Sequence, residues 1–118
     1  MKVKPYQLEH IVKDLMEEFF PDCKTVPKLD VVFDPSFVAE TRYLPNLENC
    51  CIKINDYVLQ DIEILIQVLI HELIHHKLYL DGVTGDPHGE AFKAEAARLN
   101  SILGDSYIGA TGEETAWS

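Results

Sequence analysis

The run "IHELIHHKLYLDGVTGDPHGEAF", Ile70 to Phe92, holds four of the chain's five histidines. Within it, His71 and His75 stand four positions apart. On a helix that interval is about 40° of rotation and one turn of rise, so both rings leave the same side. Two neutral imidazole nitrogens placed this way can reach one zinc ion at about 2.0–2.1 Å. Glu72 lies one step round the helix from His71. From there it does not readily become a third ligand, but it can reach a water held by the ion, which makes it the candidate catalytic base. This is the mechanical content of an H-E-x-x-H pattern: two ligands and a base on one rigid element.

Zinc sites that do catalysis take three protein ligands and keep a position for solvent. His88 is the leading candidate for the third. It is expected in the first turn of a helix that returns after a short loop, with Gly89 beside it allowing close backbone approach. Glu90 and Glu95 are the alternatives. His76 points about 100° away from His75 and reads as a surface or supporting residue, not a ligand. The competing account is a buried helix whose histidines hydrogen-bond within a core. That account leaves the Glu72 carboxylate in a low-dielectric interior, where an unpaired charge is costly. A metal ion removes the cost more simply.

The elements that must hold these residues can be read from periodicity. Pro5 suits the first turn of a helix, and Leu8, Ile11, Val12, Leu15, Met16, Phe19 and Phe20 recur at helical spacing up to Pro21. His10 falls on the polar side of that helix. The period then changes. "LDVVF" (Leu29 to Phe33), "AETRYL" (Ala39 to Leu44) and "CCIKIN" (Cys50 to Asn55) read as three short strands separated by turn signals. Lys53 and Asn55 on one face and Ile52 and Ile54 on the other suit a half-buried edge strand, to which an extended peptide could add. Asn55 or Asp56 is the expected cap of a long helix running to about Leu80 and ending at Asp81-Gly82. That helix is apolar on most of its circumference and should lie inside the domain. Asp86-Pro87 is expected to start a last helix that stops at Gly104. The fold class is therefore α+β: an N-terminal helix, a small three-stranded sheet, the long H-E-x-x-H helix and a C-terminal helix. Residues 1–104 form one domain, and 105–118 form a short tail whose only expected docking contacts are Tyr107 or Ile108.

Composition narrows the function. With 118 residues, 47% hydrophobic and 25% charged, the chain is the size of one soluble globular domain. No apolar run is long enough to span a bilayer, so no membrane partner is expected. The amphipathic start does not read as a secretory signal, and the expected compartment is cytoplasmic. Cys23, Cys50 and Cys51 are odd in number, two of them adjacent, and read as reduced, partly buried thiols. A net charge of -10 argues against a strong nucleic-acid-binding surface of the chain's own.

"HELIHHKLYLDGVTGDPHGEAFKAEAARLNSILG" resembles the core of the SprT-like zinc metalloproteases, the group that includes the Spartan protease. That family pairs H-E-x-x-H with a downstream H-G-x-x-F, here His88, Gly89 and Phe92. "AETRYL" followed by "CCIKIN" is similar to its strand pair, so the likeness covers about Leu29 to Gly104. The resemblance implies that His71, His75 and His88 bind Zn2+, that Glu72 is the catalytic base, and that the fold is a compact gluzincin-like, zincin-type domain. It also implies an enzyme, a zinc metallopeptidase acting on protein or peptide substrates. Spartan cleaves DNA-linked proteins. No Cys-rich second zinc module and no basic extension is read in these residues, so only the protease core is expected to carry over. Tyr43, Tyr79 and Tyr107 are candidates for a further hydrogen bond to an oxyanion, set against a plain packing role. The rival from another class is a zinc-binding interaction module without turnover. A zinc hydrolase acting on RNA fits poorly with the acidic balance.

Overall fold

The mean hydropathy of the chain is near zero, yet one segment is buried on every side. Val68 through His76 are all buried. They form the centre of α2 (Ile62–Leu80), around which the other elements are arranged. The structure, a computed structural model, describes residues 2–104.

A 3-10 turn at Pro5–Gln7 leads into α1 (Leu8–Phe19), whose Leu8, Val12, Leu15, Met16 and Phe19 point into the core. The strands are β1 (Lys28–Val32), β2 (Ala39–Leu44) and β3 (Asn49–Asn55). A further 3-10 turn, Asp56–Gln60, precedes α2, and α3 (Glu90–Leu103) closes the described part of the chain. The α+β class and the order of elements agree with the periodicity. Among the described residues no helix is long and apolar enough to cross a membrane.

The sheet order is β1-β3-β2, with β1 parallel and β2 antiparallel to β3. This corrects the expectation that Cys50 to Asn55 forms an edge. That segment is the central strand, hydrogen-bonded on both sides, and cannot receive another strand. Its alternation is as read: Cys50, Ile52 and Ile54 are buried while Cys51 and Lys53 are half-exposed. Asn55 departs from it, since it is buried and its side-chain amide donates to the Phe37 carbonyl at 2.9 Å. The outer edges belong to β1 and β2, and β2 is the one packed along α2.

Two helix starts also differ from expectation. Asn55 caps the Asp56–Gln60 turn, and α2 begins only at Ile62, where Asp61 accepts from the Glu63 amide at 2.9 Å. An Asx side chain caps either kind of turn, so the signal at 55–56 marked the wrong one. The last helix starts at Glu90, not at Asp86-Pro87, because residues 86–89 form a tight turn of their own. Tyr107 and Ile108, the proposed docking contacts, lie outside the described residues.

Candidate metal centre

On α2, His71 and His75 are one turn apart and both fully or almost fully buried, as the four-residue interval requires. His88 comes to them from the 86–89 turn. That turn is held by two hydrogen bonds: the His88 amide donates to Asp86 Oδ1 at 3.0 Å, and the Gly89 amide donates to the Asp86 carbonyl at 3.0 Å. A Cβ on residue 89 would sit 3.1 Å from that carbonyl oxygen, so the turn fits most closely with glycine there. His88 thus precedes the returning helix instead of lying in its first turn, but it faces the same point.

The three rings converge through one atom each. His75 Nε2 and His88 Nε2 are 3.2 Å apart, and His88 Nε2 and His71 Nε2 are 3.3 Å apart. An imidazole nitrogen offers either one lone pair or one N–H, so His88 Nε2 cannot make two good hydrogen bonds at once. A tetrahedral ion with nitrogen ligands at 2.0–2.1 Å separates those ligands by about 3.3 Å. The observed spacing fits a shared cation better than a hydrogen-bonded cluster. Among the described residues these three histidines form the group whose ligand atoms come close enough to hold a metal. Glu90 and Glu95 do not join it: Glu95 pairs with Arg98 at 2.8 Å and with Lys77 at 3.6 Å, and Glu90 is exposed.

The electrostatics point the same way. Burial, then the neighbouring His71 and His88, push the His75 imidazole down to about 3. It therefore stays neutral, the form that ligates metals. Glu72 is completely buried. Its Oε1 accepts from the Thr41 hydroxyl at 2.7 Å, whereas its Oε2 has no hydrogen-bond partner and lies 4.0 Å from His71 Nε2. Burial raises the Glu72 carboxyl well above its ordinary value; the Thr41 hydrogen bond opposes this and Glu40 adds to it. A buried carboxylate with one idle oxygen 4.0 Å from the His71 nitrogen is stabilised most directly by a cation held at that cluster.

The sequence model of the SprT-like family matches residues 8–112. The chain belongs to the SprT-like family. No curated protein sequence matches it. The SprT-like match takes in α1 as well as the Leu29–Gly104 region in which the resemblance was seen, and this is a zincin-like, protease-type family. In SprT-like terms, each fixed position of H-G-x-x-F has a physical task here. His88 supplies the third nitrogen and Gly89 permits the turn. Phe92 is buried with its ring 4.8–4.9 Å from the centroids of His71, His75 and His88, so it packs against all three imidazoles in tilted or edge-on contact.

His76 needs a correction. It is not at the surface but buried, with its Nε2 donating to the Thr25 carbonyl at 2.6 Å. Because α2 is enclosed all round, pointing away from His75 leads to the α1–β1 connection and not to solvent. Burial holds this imidazole below its ordinary value, and it is neutral. Tyr79 lies near the site, its ring 6.4 Å from His75, and Tyr43 stacks on Tyr79 at 6.3 Å. Tyr107 is outside the described residues. Thr41 was missed altogether. The available signal was a hydroxyl on the inward face of a strand, between Ala39 and Tyr43, where a polar group needs a buried partner.

Proposed function

We propose that this SprT-like chain is a zinc-dependent endopeptidase with His71, His75 and His88 as zinc ligands and Glu72 as the catalytic base. The observation that carries the reading is the convergence of His75 Nε2 and His71 Nε2 on His88 Nε2, at 3.2 and 3.3 Å, with the unpaired Glu72 Oε2 beside them. When bound, zinc supplies a Lewis acid that acidifies water toward about pH 7 and polarises a carbonyl.

The chain's own residues do the rest. Glu72 Oε2 accepts a proton from the attacking water as its oxygen adds to the peptide carbonyl carbon. The same oxygen gives that proton to the amide nitrogen as the C–N bond breaks. Thr41 keeps Oε1 occupied, so that Oε2 is the oxygen that works. The edge of β2 that no described strand covers, on the strand that carries Thr41, is where an extended protein segment adds, in place of the central strand.

The test is degradation of an unfolded protein by the metal-loaded chain, with and without a chelator, beside Glu72→Gln. The reading expects cleavage by wild type that the chelator stops, and zinc retained without cleavage in the variant. Zinc binding with no hydrolysis by wild type would instead favour a non-catalytic zinc-binding module.

A further inference from the structure

His71, His75 and Tyr79 form one row along α2 at successive four-residue steps, and the row continues past the metal ligands toward the helix end. Thr41 and Tyr43 form a parallel row on β2. Being two residues apart they share the face turned to α2: Thr41 bonds Glu72 and Tyr43 stacks on Tyr79. Both rows reach a cavity of about 430 Å³. His75 lines it together with Tyr43, Leu78, Tyr79, Val83 and Ala91. Asp86 is its one acidic lining residue, and Asp86 Oδ1 already receives the His88 amide.

We infer that this cavity is the specificity pocket of the site and takes one large apolar or aromatic side chain of the substrate, next to the scissile bond. The inference rests on the peptidase reading. Two residues of strand advance about 6.4–6.8 Å, and an extended peptide running along β2 advances at the same rate. A peptide whose carbonyl lies at the metal site beside Thr41 therefore carries a neighbouring side chain past Tyr43, where the cavity opens. The volume falls in the range of pockets that enclose a ligand group, and the walls offer apolar and aromatic surface without a free cation. Continuity with the metal centre through His75 is what assigns the occupant.

Two measurements test this, one of them independent of turnover. In the metal-free protein, methyl resonances of Leu78, Val83 and Ala91 should shift on titration with a blocked pentapeptide Gly-Gly-Phe-Gly-Gly and stay still with its Asp counterpart. Equal responses, or none, would overturn the pocket. Methyls that move only with protein concentration, or only after residues 105–118 are removed, would assign the pocket to a second copy or to the chain's own C-terminal segment and would equally overturn it. In cleavage-site mapping on an unfolded protein, wild type should enrich Phe, Tyr, Leu or Met at one fixed position within two residues of the cut. Val83→Lys should move that position toward Asp and Glu with zinc content unchanged. Cleavage with no enrichment sinks the pocket and leaves the peptidase standing, whereas methyl shifts without any cleavage do the reverse.

Discussion

The hydroxyl of Thr41 lies 2.7 Å from Glu72 Oε1 and 3.1 Å from the Glu72 carbonyl oxygen. A strand side chain thus clamps the helix residue that stands between His71 and His75. One hydroxyl proton cannot serve both oxygens fully, and the shorter contact to the carboxylate is the stronger. Thr41→Val keeps the shape and removes the proton. A hydrogen bond to a charged group contributes about 1.5–3 kcal/mol, so kcat should fall about 10- to 100-fold with zinc content unchanged. Thr41→Ser should restore most of it. The acidic limb of the pH–rate profile should also move upward in the valine variant, because the bond that lowers the Glu72 carboxyl is gone. An unshifted limb would contradict the positioning role.

Glu72 also makes a prediction about the metal-free protein. Its carboxyl is raised above its unfolded value of about 4.5. The folded state then binds more protons than the unfolded one, and stability falls as pH rises through that interval. Glu72→Gln is neutral throughout and keeps an oxygen for Thr41. In chelator, the variant should therefore melt at a higher temperature than wild type at pH 7, and the gap should close toward pH 4. The lowered His75 acts in the opposite sense, its contribution being lost as pH falls from about 6.5 toward 3, but it is present in both proteins and cancels in the difference. A gap that is absent at pH 7 would contradict the burial of an uncompensated carboxylate.

Gly89→Ala tests the turn that delivers His88. The added Cβ would lie 3.1 Å from the Asp86 carbonyl, so the turn must shift and His88 with it. Groups that orient a metal ligand typically affect binding by about 10- to 100-fold, and a loss of that order in zinc affinity is expected in competition with a chromogenic chelator. The fold should survive, since residue 89 is outside the core cluster.

Phe92→Ala removes the ring that packs against three imidazoles and opens a cavity in a fully buried position. Destabilisation of about 3–5 kcal/mol is expected in denaturant unfolding of the metal-free protein. Phe92→Leu should recover most of the stability but only part of the zinc affinity, because an aliphatic side chain fills the volume without supporting the imidazole planes.

Much of this site could be read from residue order because the helix period ties spacing to direction. His71, Glu72 and His75 are related by one rigid element, and the buried character of α2 follows from its composition. What lay between elements was harder. Cys50 to Asn55 alternates as an edge strand would, and alternation reports which face is buried, not how many neighbours share the hydrogen-bonded edges. The position of His76 depended on what covers the far side of α2. Thr41 is separated from Glu72 by thirty-one positions, and nothing local records that the two meet. The fold supplies those long-range relations, and they are the ones that orient Glu72.

The central claim is that His71, His75 and His88 bind one zinc ion together and leave a position for solvent. X-ray absorption at the zinc edge on stoichiometrically loaded protein tests it most directly. The account predicts three imidazole nitrogens and one oxygen at about 2.0–2.1 Å, with one imidazole lost in His88→Ala. A sulfur neighbour from a cysteine, or an imidazole count unchanged by His88→Ala, would contradict it.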